Sequence, residues 1–323
     1  MTADGTASAK AGRGVTVRQA SWRGIISLLA ISGVVVTALF LSSDIEEFAA
    51  EGLRLAVERV LPTTLPFMVI SGFAASLITP ESLPRLSRLL ALLFGVSEEG
   101  VSALIIGNLT GFPIGSKMTA EIYSCGRLDK REAECLSAYS SNPSAPFVVS
   151  TVGAGLLGDL ELGVILLISL MAGTLLSAQV FRGKCSKMSK TTINARQKYS
   201  FVDSVRGAAE ASVSMIAFIT VFFTASKMSA KILGSTPLSA LIILFSEVTG
   251  AVSFIADFSD AGAIGQVGLC AFALGFGGVS VMLQSAAFST SAGLGLKRYF
   301  CVKICEGVFS ALVAMLLCFL LHN

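Results

Sequence analysis

The chain has 323 residues, of which 53% are hydrophobic and 14% are charged, and its formal net charge is +3. A soluble globular protein has about 25% charged residues, so this composition argues against an ordinary cytosolic enzyme, a disordered chain and a nucleic-acid binder. It leaves a polytopic helical membrane protein, because the hydrophobic residues are also gathered into long tracts.

Long apolar tracts recur along the chain, and several need flanking polar turns to reach the roughly 20 residues of a membrane span. They cover residues 25–41, 61–78, 147–157, 164–181, 213–226, 267–287 and 299–321. Two shorter tracts, 101–106 and 238–245, are too short to span and end in polar motifs that contain glycine. We interpret each as the tip of a re-entrant hairpin, since backbone breaks within a membrane only where protein or water surrounds it.

Charged residues between the tracts orient the chain by the positive-inside rule. The basic segments, placed in the cytoplasm, are the N-terminal tail and 85–88, 127–131, 182–198 and 297–298. The acidic segments, placed outside as loops, are 44–51, 159–161 and 257–260. Lys227 and Lys231 are exceptions, since this scheme places them outside. The alternation otherwise holds only if each short tract enters and leaves on the same side, which supports the two hairpins independently of their length.

Two stretches of the chain resemble each other, 107–111 and 246–250, and each reads small, polar, aliphatic, Thr, Gly. Each is followed about 30 residues later by a second broken site, at 141–146 and 275–280. The order span, hairpin, broken span, span therefore occurs twice and starts on opposite sides. The predicted fold class is an all-α polytopic integral membrane protein, an inverted-topology repeat with two re-entrant hairpins plus one extra N-terminal helix.

This pattern predicts five regions along the chain. They are a disordered cytoplasmic tail at 1–22, an N-terminal transmembrane helix with an outer loop at 23–51, a first repeat at 52–182, a basic cytoplasmic linker at 183–199 and a second repeat at 200–323.

The first hairpin tip carries candidate ligand-binding side chains. Asn108 and Thr110 place donors and acceptors at the break. Lys117 is predicted at membrane depth, where an uncompensated charge costs about 2.5–3.5 kcal/mol. It either pairs with Glu121 four residues on or binds an anionic ligand. Close packing of helices through the small residues of the tip is the alternative explanation of the motif.

The first broken span adds Asn142 and Ser144 to the candidates. Pro143 lacks an N–H, and the break should free the carbonyls of Tyr139 and Asn142. A patch of free carbonyls and side-chain oxygens coordinates a cation or orients a polar solute in transporters. A simple kink is the alternative.

The second repeat offers Glu247 and Thr249 at its tip and Ser280 and Gln284 at its broken site. An acid at mid-membrane is either a coupling-ion ligand, a proton carrier or a substrate contact, or a structural acid bonded to backbone. The glycines before Ser280 serve either a site or helix packing.

Lys303 and Glu306 are predicted as a structural pair three residues apart on the last span, near the inner interface. An enzyme is disfavoured, because His322 is the single histidine and the segment around Ser280 lacks the second glycine of a nucleophile elbow. No metal or other cofactor is expected beyond a coupling Na⁺ or H⁺.

Three motifs resemble the sporulation integral membrane proteins of the YlbJ type, also called stage V sporulation protein VV. They are Leu-Pro-Thr-Thr-Leu-Pro-Phe at 61–67, Gly-Phe-Pro-Ile-Gly-Ser-Lys at 111–117 and Asn-Pro-Ser-Ala-Pro-Phe at 142–147. The resemblance covers about residues 24–321 in order. Phe112 stands where the family usually has Tyr, and Ser116 where it has Ala. The family's gate domains, which correspond to the two repeats, are named for similarity to concentrative nucleoside transporters.

The resemblance implies a transporter that moves dipicolinic acid from the mother cell toward the forespore, in the outer forespore membrane. Dipicolinate is a small, flat dianion, which Lys117 and helix N-termini at the hairpins would suit. The partners expected are this solute and membrane lipid, without nucleic acid, and a homo-oligomer is compatible with the sequence. The alternatives are a non-transporting membrane assembly component required for spore maturation and a nucleoside-type transporter.

Overall fold

A computed structural model describes residue 32 and residues 41–75, 84–182, 200–234, 236–257 and 262–322. Within these ranges every regular element is helical, which confirms the predicted all-α class. The chain forms two compact units, Met1–Ile45 and Glu46–Asn323. The predicted disordered tail, most of the predicted first transmembrane helix and the basic linker at 183–199 lie outside the described residues.

The helices follow one another with short connections. They are α1 (Ser42–Arg54), α2 (Leu61–Ala75), α3 (Pro84–Phe94), α4 (Glu98–Thr110), α5 (Ile114–Ser124), α6 (Lys130–Tyr139), α7 (Leu160–Phe181), α8 (Phe201–Leu233), α9 (Pro237–Ser246), α10 (Val248–Ala256), α11 (Gly262–Phe276), α12 (Gly278–Ser291) and α13 (Leu296–His322). Two π-helical segments are named π1 (Leu55–Val60) and π2 (Phe147–Leu156).

Four helical segments are long and apolar enough to cross a membrane, namely Leu160–Phe181, Phe201–Leu233, Gly262–Ser291 and Leu296–Leu321. Helices α3 and α4 meet at 89° and make a fifth candidate if the bent pair counts as one span. Large apolar side chains such as Leu316 and Leu320 lie exposed on the last of these helices. Such surface is stable against lipid tails, and the chain is an all-α polytopic integral membrane protein.

The acidic segment at 44–51, predicted as an outer loop, is helical instead. Helix α1 runs without a break into π1 and α2, so one helical run covers 42–75. A helix tolerates these charges because Glu46, Glu47 and Glu51 lie exposed at its surface, and Glu51 pairs with Lys227 of α8 at 3.1 Å. This ion pair explains the exception at Lys227, since the acidic segment compensates its charge. The boundary predicted at 51/52 falls inside α1.

The two short tracts form α4 and α9, and each helix ends at its predicted polar motif. Helix α4 ends at Thr110, before Gly111 with φ 85° and a cis peptide bond between Phe112 and Pro113. A Cβ on Gly107 would lie 2.8 Å from the Cα of Gly115, so the chain turns back on itself here. Helix α9 ends at Ser246, and α10 begins after a single extended residue.

Both predicted broken sites interrupt helices. Residues 140–144 separate α6 from the turn that leads into π2, and Gly277, with φ 79°, separates α11 from α12. In each repeat the hairpin tip packs on the break of the same repeat. A Cβ on Gly107 would clash with the carbonyl oxygen of Ser140, and one on Gly278 would lie 2.9 Å from that of Ser246. This shared contact supports the predicted repeat, whose inversion across the membrane stays a prediction.

The tip contact predicts that Gly115→Ala destabilises the protein, because the added Cβ clashes with the Ser140 carbonyl group. Overpacking of this kind costs about 1–3 kcal/mol. The measurement is the thermal unfolding temperature of the purified chain in detergent. Gly207→Ala is the matched control, since a Cβ at this helical glycine meets nothing within 4 Å. An unfolding temperature for Gly115→Ala at or above that of the control would contradict the packed tip.

Candidate functional site

A cavity lies where the two hairpin tips meet the two broken helices. Five of the predicted site residues line it, and they come from all four of these elements. They are Thr110 at the end of α4, Ser144 in the first break, Glu247 and Thr249 at the second tip, and Gln284 on α12. Each is at most 3% exposed. Residues far apart in sequence are therefore brought together as the repeat pattern predicts.

The remaining walls of the cavity are mainly apolar. Met68 of α2, Phe147 of π2, and Met215 and Ile219 of α8 contribute them. The cavity holds about 410 Å³ of empty space including its open mouth, but its enclosed part takes only water-sized groups. A ring-sized solute therefore requires the tips to move apart.

Glu247 is the one charged residue among the described residues that line the cavity. It is the N-cap of α10, and its Oε2 accepts a hydrogen bond from the Gly250 N–H at 2.7 Å. An acid is favoured here because the N-terminus of a helix carries about half a positive charge. No ion pair to Glu247 occurs in the described part of the chain. The helix end therefore holds the carboxylate at the cavity and compensates its charge only in part.

Two further oxygens at this cavity have no partner. The Oγ of Ser144 and the Oε1 of Gln284 are buried and make no hydrogen bond to any described residue. A buried polar group left unsatisfied costs about 1–3 kcal/mol. Native proteins pair most such groups with protein or with ordered water. The two oxygens therefore mark this cavity as a place that a polar ligand would stabilise.

Three other predicted residues lie behind the cavity wall. Ser280 is fully buried and accepts a hydrogen bond from the Nε2 of Gln284 at 3.4 Å, which orients this amide. Asn108 and Asn142 bond to each other, with Nδ2 of Asn142 donating to Oδ1 of Asn108 at 2.9 Å. Lys117 is half-buried on α5 and does not line the cavity. Its role as a ligand contact stays a prediction.

The break at 140–144 is held by a fully buried ion pair. Lys303 and Glu306 of α13 are 3.0 Å apart and at most 1% exposed. Lys303 Nζ also donates to Oδ1 of Asn142 at 2.8 Å and to the Ser141 carbonyl at 3.1 Å. Thr174 of α7 donates to the other carboxylate oxygen at 2.6 Å. The predicted pair is confirmed, and it reaches the first broken site, which its spacing in sequence did not indicate.

Both of the carbonyls that the break at 142–146 is predicted to free are used. The Tyr139 carbonyl accepts from Nδ2 of Asn108 at 3.0 Å, and the Asn142 carbonyl accepts from the Phe112 N–H at 3.0 Å. Both donors belong to the first hairpin. Asn108 and Asn142 therefore fasten the tip to the break, and the protein itself satisfies this backbone.

Several lining residues were missed by the sequence interpretation. Thr64 faces the cavity from α2 and donates to the Val60 carbonyl at 2.8 Å. It belongs to the 61–67 motif that carried the family resemblance, and that motif was the available signal. Met215 and Ile219 lie in a long apolar stretch of α8, where nothing distinguishes a cavity-facing side chain from a lipid-facing one.

Comparison with known proteins confirms the resemblance that the motifs indicated. The chain is similar to the sporulation integral membrane protein YlbJ of Bacillus subtilis (strain 168), with 22% identity over 343 aligned residues. The alignment covers 90% of this chain and 82% of that protein. No protein-family model and no solved structure matches the chain.

The buried ion pair predicts that Lys303→Met is strongly destabilising, because it leaves the Glu306 carboxylate buried without a cation. Loss of one partner of a buried pair costs about 3–5 kcal/mol. Lys303→Met combined with Glu306→Leu should recover much of this loss, since no charge is then buried alone. Thermal unfolding in detergent measures both variants.

The matched control for this experiment is the exposed pair of Arg54 and Glu58, which are 3.9 Å apart. Glu58→Gln should change the free energy of unfolding by at most about 1 kcal/mol. If Lys303→Met unfolded at the temperature of this control, the ion pair would not hold the break.

Proposed function

We propose that the chain is a secondary transporter of a small polar or anionic solute, which binds in the cavity between the two hairpin tips. The observation that carries the proposal is the convergence of both tips and both broken helices on one buried cavity. Secondary transporters commonly build their sites from discontinuous helices at the interface of two repeats. The partly compensated Glu247 and the unpartnered oxygens of Ser144 and Gln284 support a ligand at this place.

A role in sporulation is part of the proposal, and the similarity to a sporulation integral membrane protein of Bacillus subtilis supports it. The family resemblance makes dipicolinate the first solute to test and the outer forespore membrane the proposed location. The cavity supplies an acid and neutral oxygens but no basic side chain among its described lining residues. A dianion would therefore need either an accompanying cation or the approach of Lys117.

Uptake by reconstituted protein tests the proposal. The full chain in proteoliposomes should take up labelled dipicolinate faster than empty liposomes do, with nucleosides measured beside it. No uptake of either solute by folded protein would contradict transport and favour the assembly component.

Glu247→Gln should lower the rate of uptake at least tenfold, because it removes the one charge that the cavity holds. Glu58→Gln, an exposed acid on π1, is the control and should transport like the wild-type chain. Size-exclusion profiles and unfolding temperatures must show that both variants are folded. Wild-type uptake by a folded Glu247→Gln variant would remove the cavity as the transport site.

A further inference from the structure

We propose that the cavity binds one sodium ion, coordinated by the Glu247 carboxylate, the Gln284 amide oxygen and the Ser144 hydroxyl. The inference deepens the proposed function, since it names the ion that would accompany the solute. Its basis is the set of oxygens that the fold gathers there and their lack of protein partners.

The first step of the argument concerns which atoms are available. Gln284 donates its Nε2 to Ser280 at 3.4 Å, which fixes the amide and leaves its Oε1 without a donor. Ser144 has an equally unpartnered hydroxyl. The Glu247 carboxylate accepts from the Gly250 N–H through Oε2 and also from the backbone N–H and hydroxyl of Thr249, and an ionised carboxylate can accept about four such contacts. These three side chains can therefore offer oxygens to a ligand.

The second step concerns charge. Glu247 is 2% exposed, and the nearest compensation is the N-terminus of α10. A helix end contributes about half a unit of positive charge, so net negative charge remains at the cavity when the Glu247 carboxylate is ionised. A cation is the ligand that this charge favours, whereas a neutral solute would leave it uncompensated.

The third step concerns the kind of cation. All the candidate ligands are hard oxygens, which select Na⁺, Mg²⁺ or Ca²⁺ over softer metals. One carboxylate balances one positive charge, which favours a monovalent ion. The enclosed room takes a water-sized group, and a sodium ion stripped of its water fits such a space. Thr110 and Thr249 line the same cavity and add two hydroxyl-bearing residues to its wall.

The location of these ligands gives the ion a mechanical effect. Ser144 belongs to the first break, Glu247 to the second tip and Gln284 to the second broken helix. An ion bound to all three ties the two repeats together at the point where the tips must separate to admit a ring-sized solute. Binding and release of the ion would then accompany opening of the cavity.

Sodium-dependent stabilisation tests the inference on the purified full chain in detergent, without any transported solute. The unfolding temperature is measured in NaCl, KCl and choline chloride at equal ionic strength. A ligand that binds only the folded state stabilises it in a saturable way, so NaCl should raise the unfolding temperature to a plateau and choline chloride should not. Equal curves in the three salts would overturn the sodium site.

Two variants and a control locate the ion. Glu247→Gln should abolish the sodium-specific shift, and Ser144→Ala should weaken the apparent affinity about fivefold or more. Ser177→Ala on α7 removes a buried serine whose hydroxyl also lacks a partner but which does not line the cavity, so it should leave the sodium curve unchanged. If Glu247→Gln fails to fold, comparison of Ser144→Ala with Ser177→Ala still tests the sodium site. Equal apparent sodium affinities of these two variants would overturn the site.

The outcomes separate this inference from transport itself. Uptake of solute that is independent of sodium, together with no sodium-specific stabilisation, would overturn the ion site and leave the transporter standing. Sodium-specific stabilisation without uptake of dipicolinate or nucleosides would confirm the ion site and contradict the proposed transport.

Discussion

The structure depends on one constraint, that backbone polar groups inside a membrane must be satisfied by the protein itself. Each repeat breaks two helices, and every break exposes carbonyl and amide groups that a continuous helix would pair. The first break is closed by the hairpin and by α13. Lys303 donates a hydrogen bond to the Ser141 carbonyl, and Asn108 donates one to the Tyr139 carbonyl. The Phe112 N–H donates to the Asn142 carbonyl. Such a break is a fixed part of the scaffold.

The second tip meets the same constraint in a different way. The acid at its centre caps the helix that follows, so the backbone is satisfied while the carboxylate keeps capacity for further contacts. Ser144 of the first break and Gln284 of α12 line the same cavity, each with an oxygen that has no partner. The backbone of the first break is thus hydrogen-bonded to protein groups, whereas the cavity presents two side-chain oxygens without a hydrogen-bond partner. This difference, more than the breaks themselves, is what makes the cavity a candidate site.

Much of this arrangement is predictable from sequence because breaks in apolar helices need distinctive residues. Glycine, proline and small polar residues cluster at 107–111, 141–146 and 246–250. These residues are unfavourable in an ordinary lipid-facing helix, so their positions predict the tips and breaks. The charge of the acidic segment at 44–51 predicts a loop, yet an exposed helix carries such charge at little cost. Local composition does not distinguish these two environments.

Other features require three-dimensional packing and have no local signal. The spacing of Lys303 and Glu306 predicts an ion pair on one helix, but only the packing of α13 against the first break brings the ammonium group to Asn142.

The two buried acids, Glu306 and Glu247, differ in how their charge is compensated. Glu306 pairs with Lys303 of the same helix, and this pair contacts the first break. Glu247 has no paired cation among the described residues, and it lines the cavity. An exchangeable cation at Glu247 would balance that carboxylate as Lys303 balances Glu306, but in a reversible form.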